Sequence, residues 1–118
     1  LAIPSGMSIG PNGDIYIADA WNQRIRKIEV KTSLISTVAG SGARAYGGDG
    51  GPANKAHLGN PLGVSVNSKG DIYIADTRHS HIRMVDSRGV IHNVAGSAFP
   101  WDKGDGGPAI ASNLIYAK

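Results

Sequence analysis

The most constraining feature of this chain is an internal duplication. The seven residues GDIYIAD occupy positions 13–19 and recur letter for letter at positions 70–76, an offset of 57 residues. The same offset relates PSGMSIG at 4–10 to PLGVSVN at 61–67. A repeat at a fixed period is the signature of architectures built from one structural unit stacked on another. The chain is therefore expected to fold as two copies of one unit.

The duplication continues to the end of each unit. RIRKIE at 24–29 aligns with HIRMVD at 81–86, again 57 residues later. After the loss of one residue near Ser33, ISTVAGS at 35–41 matches IHNVAGS at 91–97, and GDGGPA at 48–53 matches 104–109. We therefore assign residues 1–57 to a first unit with its connector and residues 58–118 to a second unit with a C-terminal connector.

Each unit has the pattern of four β-strands. Its apolar residues alternate or form short runs rich in Ile, Val and Tyr, and Gly, Pro and Asn bound these runs. We expect strands near residues 7–10, 14–19, 24–30 and 34–39 and at the equivalent positions 57 or 56 residues later. Asn12-Gly13 favours the positive φ of a tight hairpin. Helix is nearly absent, and only residues 52–58 suggest a single turn.

This pattern predicts an all-β fold of two four-stranded antiparallel β-propeller blades. Both faces of each unit are apolar, as expected for a blade that other blades cover on both sides. Two units give few neighbours, so each unit should pack mainly against the other. The first and fourth strands lie at opposite edges of each predicted sheet, and the long GDGGPA connector carries the chain to the next blade.

The order of the motifs resembles NHL repeats, especially their bacterial form. It runs P.G(I/V), GDIYIAD, N.RIRK, IS.VAG and GDGGPA..A.L..P.G, and it covers nearly the whole chain. The resemblance implies blades of a propeller that usually has six, used mainly as a binding platform and in some relatives as an enzyme. It slightly favours an extracellular or periplasmic protein. The pattern departs after Leu114, where IYAK replaces the P.G of a further blade.

Composition narrows the class of protein. Hydrophobic residues make up 41% of the 118 residues, with 17 glycines and 6 prolines, which is typical of a globular, turn-rich chain. Apolar runs are too short to cross a bilayer, so we expect a soluble protein without a membrane span. The absence of cysteine excludes disulfides and thiolate metal sites. The net charge of +3 and mostly scattered Lys and Arg favour a solvated basic surface over a dedicated nucleic-acid site.

An acid and an arginine recur at the same spacing in both units. Asp19 and Arg26 reappear as Asp76 and Arg83, and each pair could meet across the hairpin of the second and third strands. Because both units carry the pair, we interpret it as a structural lock and not as catalytic machinery. Asp49 and its equivalent Asp105 suggest a calcium loop or a phosphate cradle, but one carboxylate is too few for calcium and no Walker-type lysine follows. We interpret these aspartates as bonding the backbone of their own loops.

The sequence offers little for catalysis or metal binding. His79 and His81 could face one metal ion, but no third ligand is evident and the first unit has Asn22 and Arg24 in their places. We predict no catalytic residue, no cofactor and no metal site. An enzyme of this kind would take its residues from several blades around a central channel, and two blades would not show that set.

The two units differ most where a ligand surface would lie. The loop between the second and third strands changes from AWNQ to TRHS, and the segment before GDGG changes from GARAYG to AFPWDK. In an antiparallel blade both segments emerge at the same rim. Aromatic and arginine side chains suit a binding surface. The predicted ligand-binding rim comprises Trp21, Arg44, Tyr46, Arg78, His79, Phe99, Trp101 and Lys103.

The sequence thus favours a non-enzymatic scaffold that binds a protein or glycan at this rim. Two alternatives stay open: a piece of a propeller enzyme, such as a metal-dependent lyase or hydrolase, and a propeller that binds single-stranded RNA. The outer blade faces also need partners. Three copies of the chain would supply six blades and close a ring as a homotrimer. Alternatively, the chain is a fragment and the remaining blades belong to a longer protein, which its start without methionine favours.

Overall fold

The structure, a computed structural model, describes residues 4–43 and 47–96. The chain is all-β, as predicted, and each unit supplies four strands. The strands of the first unit are β1 (Pro4–Ile9), β2 (Ile15–Asp19), β3 (Arg24–Glu29) and β4 (Leu34–Ala39). Those of the second are β5 (Pro61–Val66), β6 (Ile72–Asp76), β7 (His81–Val85) and β8 (Ile91–Ala95).

The strands form two antiparallel sheets of four, ordered β1-β2-β3-β4 and β5-β6-β7-β8. The register is the same in both sheets. Ile17 lies opposite Met7 and Arg26, and the equivalent Ile74 lies opposite Val64 and Arg83. We call the sheets blade 1 (β1–β4) and blade 2 (β5–β8), and residues 40–60 between them the connector.

The first strand of each blade starts earlier than predicted. β1 begins at Pro4 and β5 at Pro61, whereas the pattern suggested starts at Met7 and Val64. A β-bulge in each strand shifts the register between the proline and the glycine two residues later. The proline is tolerated because it occupies the first strand position, where its missing N–H breaks no ladder. The Pro-x-Gly motif is thus part of the strand.

Some turns of the structure match the predictions, and others were predicted only as loops. Gly13 adopts the expected positive φ of 85°, and its N–H donates to the carbonyl of Gly10 at 2.9 Å. Ala53–Lys55 forms a 3-10 turn within the 52–58 segment, which confirms the single turn predicted there. Two further 3-10 turns, Ala20–Asn22 and Thr77–His79, connect the second and third strands of each blade and were predicted only as short loops.

The core lies between the blades. Each blade has a forward face, which in blade 1 points toward blade 2, and a rear face, which in blade 2 points toward blade 1. The forward face of blade 1 contributes Ala18 and Ile25, which are fully buried against Ile74 and Ile91 on the rear face of blade 2. Leu58 of the connector completes the same cluster at 0% exposure. The connector is therefore part of the core.

The other two faces are partly exposed among residues 4–43 and 47–96. On the rear face of blade 1, Met7 is 65% exposed and Ile9 61%, whereas their equivalents Val64 and Val66 pack against the core. On the forward face of blade 2, Tyr73 and Val94 are each 37% exposed. In the described residues, no helix is long and apolar enough to cross a membrane.

Candidate binding rim

The rim predicted from the sequence is built on two matching 3-10 turns. In blade 1 the turn follows Asp19 and ends at Gln23, which takes a left-handed φ of 57°. In blade 2 it follows Asp76 and ends at Ser80, with a φ of 55°. The first residue of each turn, Ala20 or Thr77, is buried. Each turn therefore presents its second residue outward from a fixed backbone.

The outward residues are an aromatic side chain and an arginine. Trp21 is 63% exposed, and Arg78 holds the equivalent position in blade 2, where it is also exposed. His79 is largely covered, since its side chain is 14% exposed and its Nδ1 lies 2.9 Å from Oδ2 of Asp76. Of the other predicted rim residues, Arg44, Tyr46, Phe99, Trp101 and Lys103 lie outside the described residues, as does Asp105.

A glutamine that the sequence did not single out joins the two parts of the rim. Gln23 is 1% exposed, its Oε1 accepts a bond of 2.5 Å from the N–H of Asn60, and its Nε2 donates to Oδ1 of Asn60 at 3.0 Å. The same Nε2 also donates to the carbonyl of Trp21 at 3.2 Å. Asn60 has a left-handed φ of 45°, a conformation that asparagine tolerates well. The Trp21 turn is thereby held against the end of the connector.

Beside this junction lies a recess of about 410 Å³, lined by Asn60, Leu62, Thr77 and Arg78. The backbone next to it is held in place, because the N–H of Gly59 donates to the buried Asp76 at 2.8 Å and the N–H of Arg78 donates to the carbonyl of Gly59 at 2.9 Å. The rim therefore combines an exposed tryptophan, a concave surface of mixed polarity and an arginine on a hydrogen-bonded frame.

The repeated acid and arginine lie together in both blades. Nη1 of Arg26 is 3.3 Å from Oδ2 of Asp19, and Nη1 of Arg83 is 3.2 Å from Oδ2 of Asp76. Both aspartates are fully buried at the end of the second strand. The pairs join the second and third strands behind the rim, the position that the sequence predicted for them.

Asp49 does more than the sequence suggested. Its Oδ1 accepts from Nη2 of Arg83 at 2.9 Å and from Nε at 3.2 Å, so it connects the GDGG segment to blade 2. Arg83 also donates to the carbonyls of Gly47 and His57. Sequence reasoning placed Asp49 within its own loop and missed this contact, which joins residues 34 positions apart.

The described histidines are engaged in local contacts. Nδ1 of His81 contacts the carbonyl oxygen of His79, and Nδ1 of His79 contacts Oδ2 of Asp76. Nδ1 of His57 lies 2.6 Å from Oγ of Ser41, and Nε2 of His92 lies 2.8 Å from Asp86. Within residues 4–43 and 47–96, no three His, Cys, Asp or Glu side chains come together in a way that could hold a metal ion.

Comparison with known families agrees with this architecture. Residues 32–102 match the model of the teneurin NHL domain, and residues 1–28 match the model of the NHL repeat. The chain belongs to the NHL-repeat family. Its GDIYIAD and RIRKIE motifs are thus the second and third strands of NHL blades, and the Asp-Arg pair joins them.

The NHL chain is similar to parts of much longer proteins. It is 32% identical over 83 residues to protein SUPPRESSOR OF QUENCHING 1, chloroplastic, of Arabidopsis thaliana, covering 70% of this chain and 8% of that protein. It is 34% identical over 100 residues to human Teneurin-4, covering 73% and 4% respectively. It is 32% identical over 88 residues to a probable peptidyl-alpha-hydroxyglycine alpha-amidating lyase, pgal-1, of Caenorhabditis elegans, covering 74% and 23%. Enzymatic relatives therefore exist.

Solved structures support the propeller fold of the NHL chain. A structural genomics protein from Bacteroides thetaiotaomicron superposes with a TM-score of 0.73 at 22% identity, covering 88% of this chain and 26% of that one. A streptogramin B lyase superposes with a TM-score of 0.55 at 17% identity, covering 76% and 25%. The NHL chain spans about a quarter of each of these proteins. At these identities the likeness concerns the fold alone.

Proposed function

We propose that this NHL chain is a non-enzymatic scaffold that binds a protein or glycan ligand at the rim formed by the Trp21 turn, the Arg78 turn and the end of the connector. The observation that carries the proposal is the 63% exposure of Trp21 on a turn whose backbone is held by the buried Gln23. A large aromatic side chain on a fixed backbone contributes contact area with little loss of conformational entropy on binding.

The recess gives the rim a second contact. Arg78 can supply a charged donor there, while Thr77 and Asn60 supply neutral polar groups beside it. Aromatic and arginine side chains are the types that most often carry the binding energy of an interface. Such a surface suits a polar ligand with at least one acidic or hydroxyl-rich group.

The test is a glycan array and a protein array probed with the chain and with three variants. Trp21→Ala and Arg78→Ala should each weaken the observed binding about 30-fold, as expected for residues that dominate an interface. Arg88→Ala is the matched control, because the Arg88 side chain is 78% exposed and lies in the turn between β7 and β8, at the opposite rim. Equal binding by all three variants would contradict the proposal.

A single-stranded RNA homopolymer is included as a further probe. The scaffold proposal expects no RNA binding at physiological salt. Binding to RNA that falls steeply as the salt concentration rises would support the RNA alternative in its place.

We further propose an extracellular or periplasmic location. The match of residues 32–102 to the teneurin NHL domain supports it. Fractionation of cells that produce the parent protein, followed by immunoblotting, should detect it outside the cytoplasm. Recovery in the cytosolic fraction would refute this location.

A further inference from the structure

The arginines of the chain differ in whether an acid neutralises them. Arg26, Arg83 and Arg88 each pair with an aspartate. Arg24 and Arg78 have no carboxylate partner among residues 4–43 and 47–96. Arg24 directly follows the turn that carries Trp21, and Arg78 lies within the equivalent turn of blade 2. The two arginines without an acidic partner therefore both belong to the rim.

The carboxylates behind these turns do not neutralise the two arginines. Asp19 and Asp76 are fully buried, and each already pairs with the arginine of its own third strand. The guanidinium of Arg24 donates instead to the carbonyls of Asn22 and Ser41, both at 3.2 Å. Carbonyl oxygens hold a guanidinium in place but leave its net charge uncompensated. The rim thus offers positive charge to a ligand.

The recess beside Arg78 offers hydrogen-bond donors in particular. Oδ1 of Asn60 already accepts from Nε2 of Gln23 at 3.0 Å, whereas Nδ2 of Asn60 has no acceptor within the ranges that the structure describes. The exposed guanidinium of Arg78 likewise makes no hydrogen bond to a described residue. An ionised carboxylate only accepts hydrogen bonds, and its two coplanar oxygens match the planar fork of a guanidinium. The recess is therefore suited to a carboxylate.

Trp21 lies close to this recess. Nε2 of Gln23 donates both to the carbonyl of Trp21 and to Oδ1 of Asn60, so one side chain joins the two parts. The exposed face of an indole attracts the polarised C–H groups on one side of a saccharide ring. A sugar acid combines such a ring face with a carboxylate in a single residue. An acidic peptide side chain has the carboxylate but no flat face to lie on the indole.

We infer that the rim binds acidic saccharides of the uronate class, with the carboxylate on Arg78 and Nδ2 of Asn60 and the sugar ring on Trp21. This inference rests on the proposed function, because it names the chemistry of the rim ligand. Arg24 is available to a second carboxylate, so an oligouronate should bind more tightly than a single uronate.

The experiment is isothermal titration calorimetry of the chain with trisaccharides of glucuronate, galacturonate and mannuronate, each compared with its methyl ester. The ester keeps the ring and the hydroxyl groups but lacks the charge. At least one uronate should bind, and its ester should bind about 30-fold more weakly, because a hydrogen bond to a charged group contributes more than one to a neutral group. The affinity for the uronate should also fall as the salt concentration rises.

Variants of the recess test the placement of the carboxylate. Arg78→Gln should weaken uronate binding about 30-fold and leave binding of the ester nearly unchanged. Asn60→Asp should weaken uronate binding about 100-fold, because it places a second negative charge beside the ligand. Aspartate keeps an oxygen for Gln23 and tolerates the left-handed φ of this position.

Two further variants are matched controls for these changes of charge. Arg88→Gln removes the same positive charge, and Asn54→Asp adds the same negative charge to the connector, each at an exposed position. Both should bind the uronate as the wild-type chain does. Circular dichroism verifies that every variant keeps the β-fold.

Three results would overturn the inference. They are no binding of any uronate in the panel, equal binding of a uronate and its ester, and tighter binding of a triglutamate peptide than of every uronate. Equal binding of uronate and ester, with both weakened in Trp21→Ala, would remove the preference for an acid while the proposed rim stands. The proposed function fails by a different result, in which Trp21→Ala and Arg78→Ala leave every interaction found on the arrays unchanged.

Discussion

The two blades carry equivalent arginines in unequal surroundings. Arg83 is fully buried and donates to two aspartates and to two carbonyls of the connector. The Arg26 side chain is 22% exposed and pairs with Asp19, and its Nε has no partner among the described residues. The strand sequences around both are nearly the same, so the difference comes from the connector that crosses one blade face and not the other. The contribution of a repeated residue to stability therefore depends on its contacts with the neighbouring unit.

The largest effect should come from breaking the Arg83 cluster. Arg83→Gln removes a fully buried cation that Asp76 and Asp49 share and takes a donor from the carbonyls of the connector, and the loss of one partner of a buried ion pair costs about 3–5 kcal/mol. Arg26→Gln should cost about 1–2 kcal/mol, because the Arg26 side chain is partly exposed and Asp19 keeps a hydrogen bond from Asn22. Urea unfolding at low protein concentration compares the two variants. Equal losses would contradict the distinction between the blades.

A second comparison separates the two rims. Gly96 has a φ of 100°, and a Cβ at this position would overlap the carbonyl oxygen of Ser80 and lie 3.0 Å from Cα of His81. Gly70, in the turn between β5 and β6, has a φ of 89° but nothing within 4 Å. Gly96→Ala should therefore cost about 3 kcal/mol, the upper end of local backbone strain, and Gly70→Ala about 1–2 kcal/mol for the left-handed conformation alone.

Unfolding midpoints of these two glycine variants measure the difference. Gly40→Ala is the internal check, because Gly40 has a φ of 94° and meets the backbone of Gln23 and Arg24 in the same way in blade 1. If Gly40→Ala behaves like Gly70→Ala, the rim that carries Trp21 is not the more rigid one.

The junction between the blades at the rim should respond next. Gln23→Ala leaves the N–H of Asn60 without its partner in a buried place, which costs about 2 kcal/mol. Gln23→Glu is the matched variant, since a carboxylate still accepts from Asn60 but no longer donates to Trp21 or to Oδ1 of Asn60. Its loss in unfolding free energy should exceed that of Gln23→Ala, because it buries an unpaired carboxylate beside the oxygens of Trp21 and Asn60. An unchanged free energy of unfolding in Gln23→Ala would show that the connector holds the turn without this residue.

The smallest effect concerns the turn after β7. The ring of His92, followed by the backbone N–H groups of Val90 and Arg88, holds the pKa of Asp86 well below its ordinary value of 3.8. Because the folded pKa is depressed, these bonds stabilise the fold above the unfolded pKa, and the benefit is lost as pH falls below 3.8 toward the folded value. Asp86→Asn should lower the urea midpoint slightly near neutral pH, and the gap should shrink in acid. If the difference in urea midpoint between wild type and Asp86→Asn widened in acid, the sign assigned to the contribution of Asp86 would be wrong.

His92→Gln provides the control for that titration. It removes the largest cause of the lowered pKa, so the pH dependence assigned to Asp86 should move toward the ordinary range of a carboxyl group. NMR titration of the Asp86 carboxyl carbon in both proteins measures this shift directly.

The sequence by itself determined the blades. The period of two, the glycine turns and the exact repeat fixed four strands per unit, their order and the Asp-Arg pair across each hairpin, because these contacts join residues close in sequence and repeat in both units. The start of the first strand was wrong, since proline usually breaks strands and here occupies the first position of a bulged one. The five predicted rim residues from Arg44 to Lys103 that lie outside the described residues stay predictions.

Only the tertiary structure decided how the units are joined. Asp49 meets Arg83 across 34 residues, and Gln23 meets Asn60 across 37. Neither contact follows from strand periodicity, because each depends on the path by which an irregular connector crosses the next blade. The same path buries Arg83, whereas Nε of Arg26 has no hydrogen-bond partner among the described residues. Strand formation depends on residues that are close together in the sequence. The partner of a buried charge depends instead on which distant segment packs over that charge and excludes water from it.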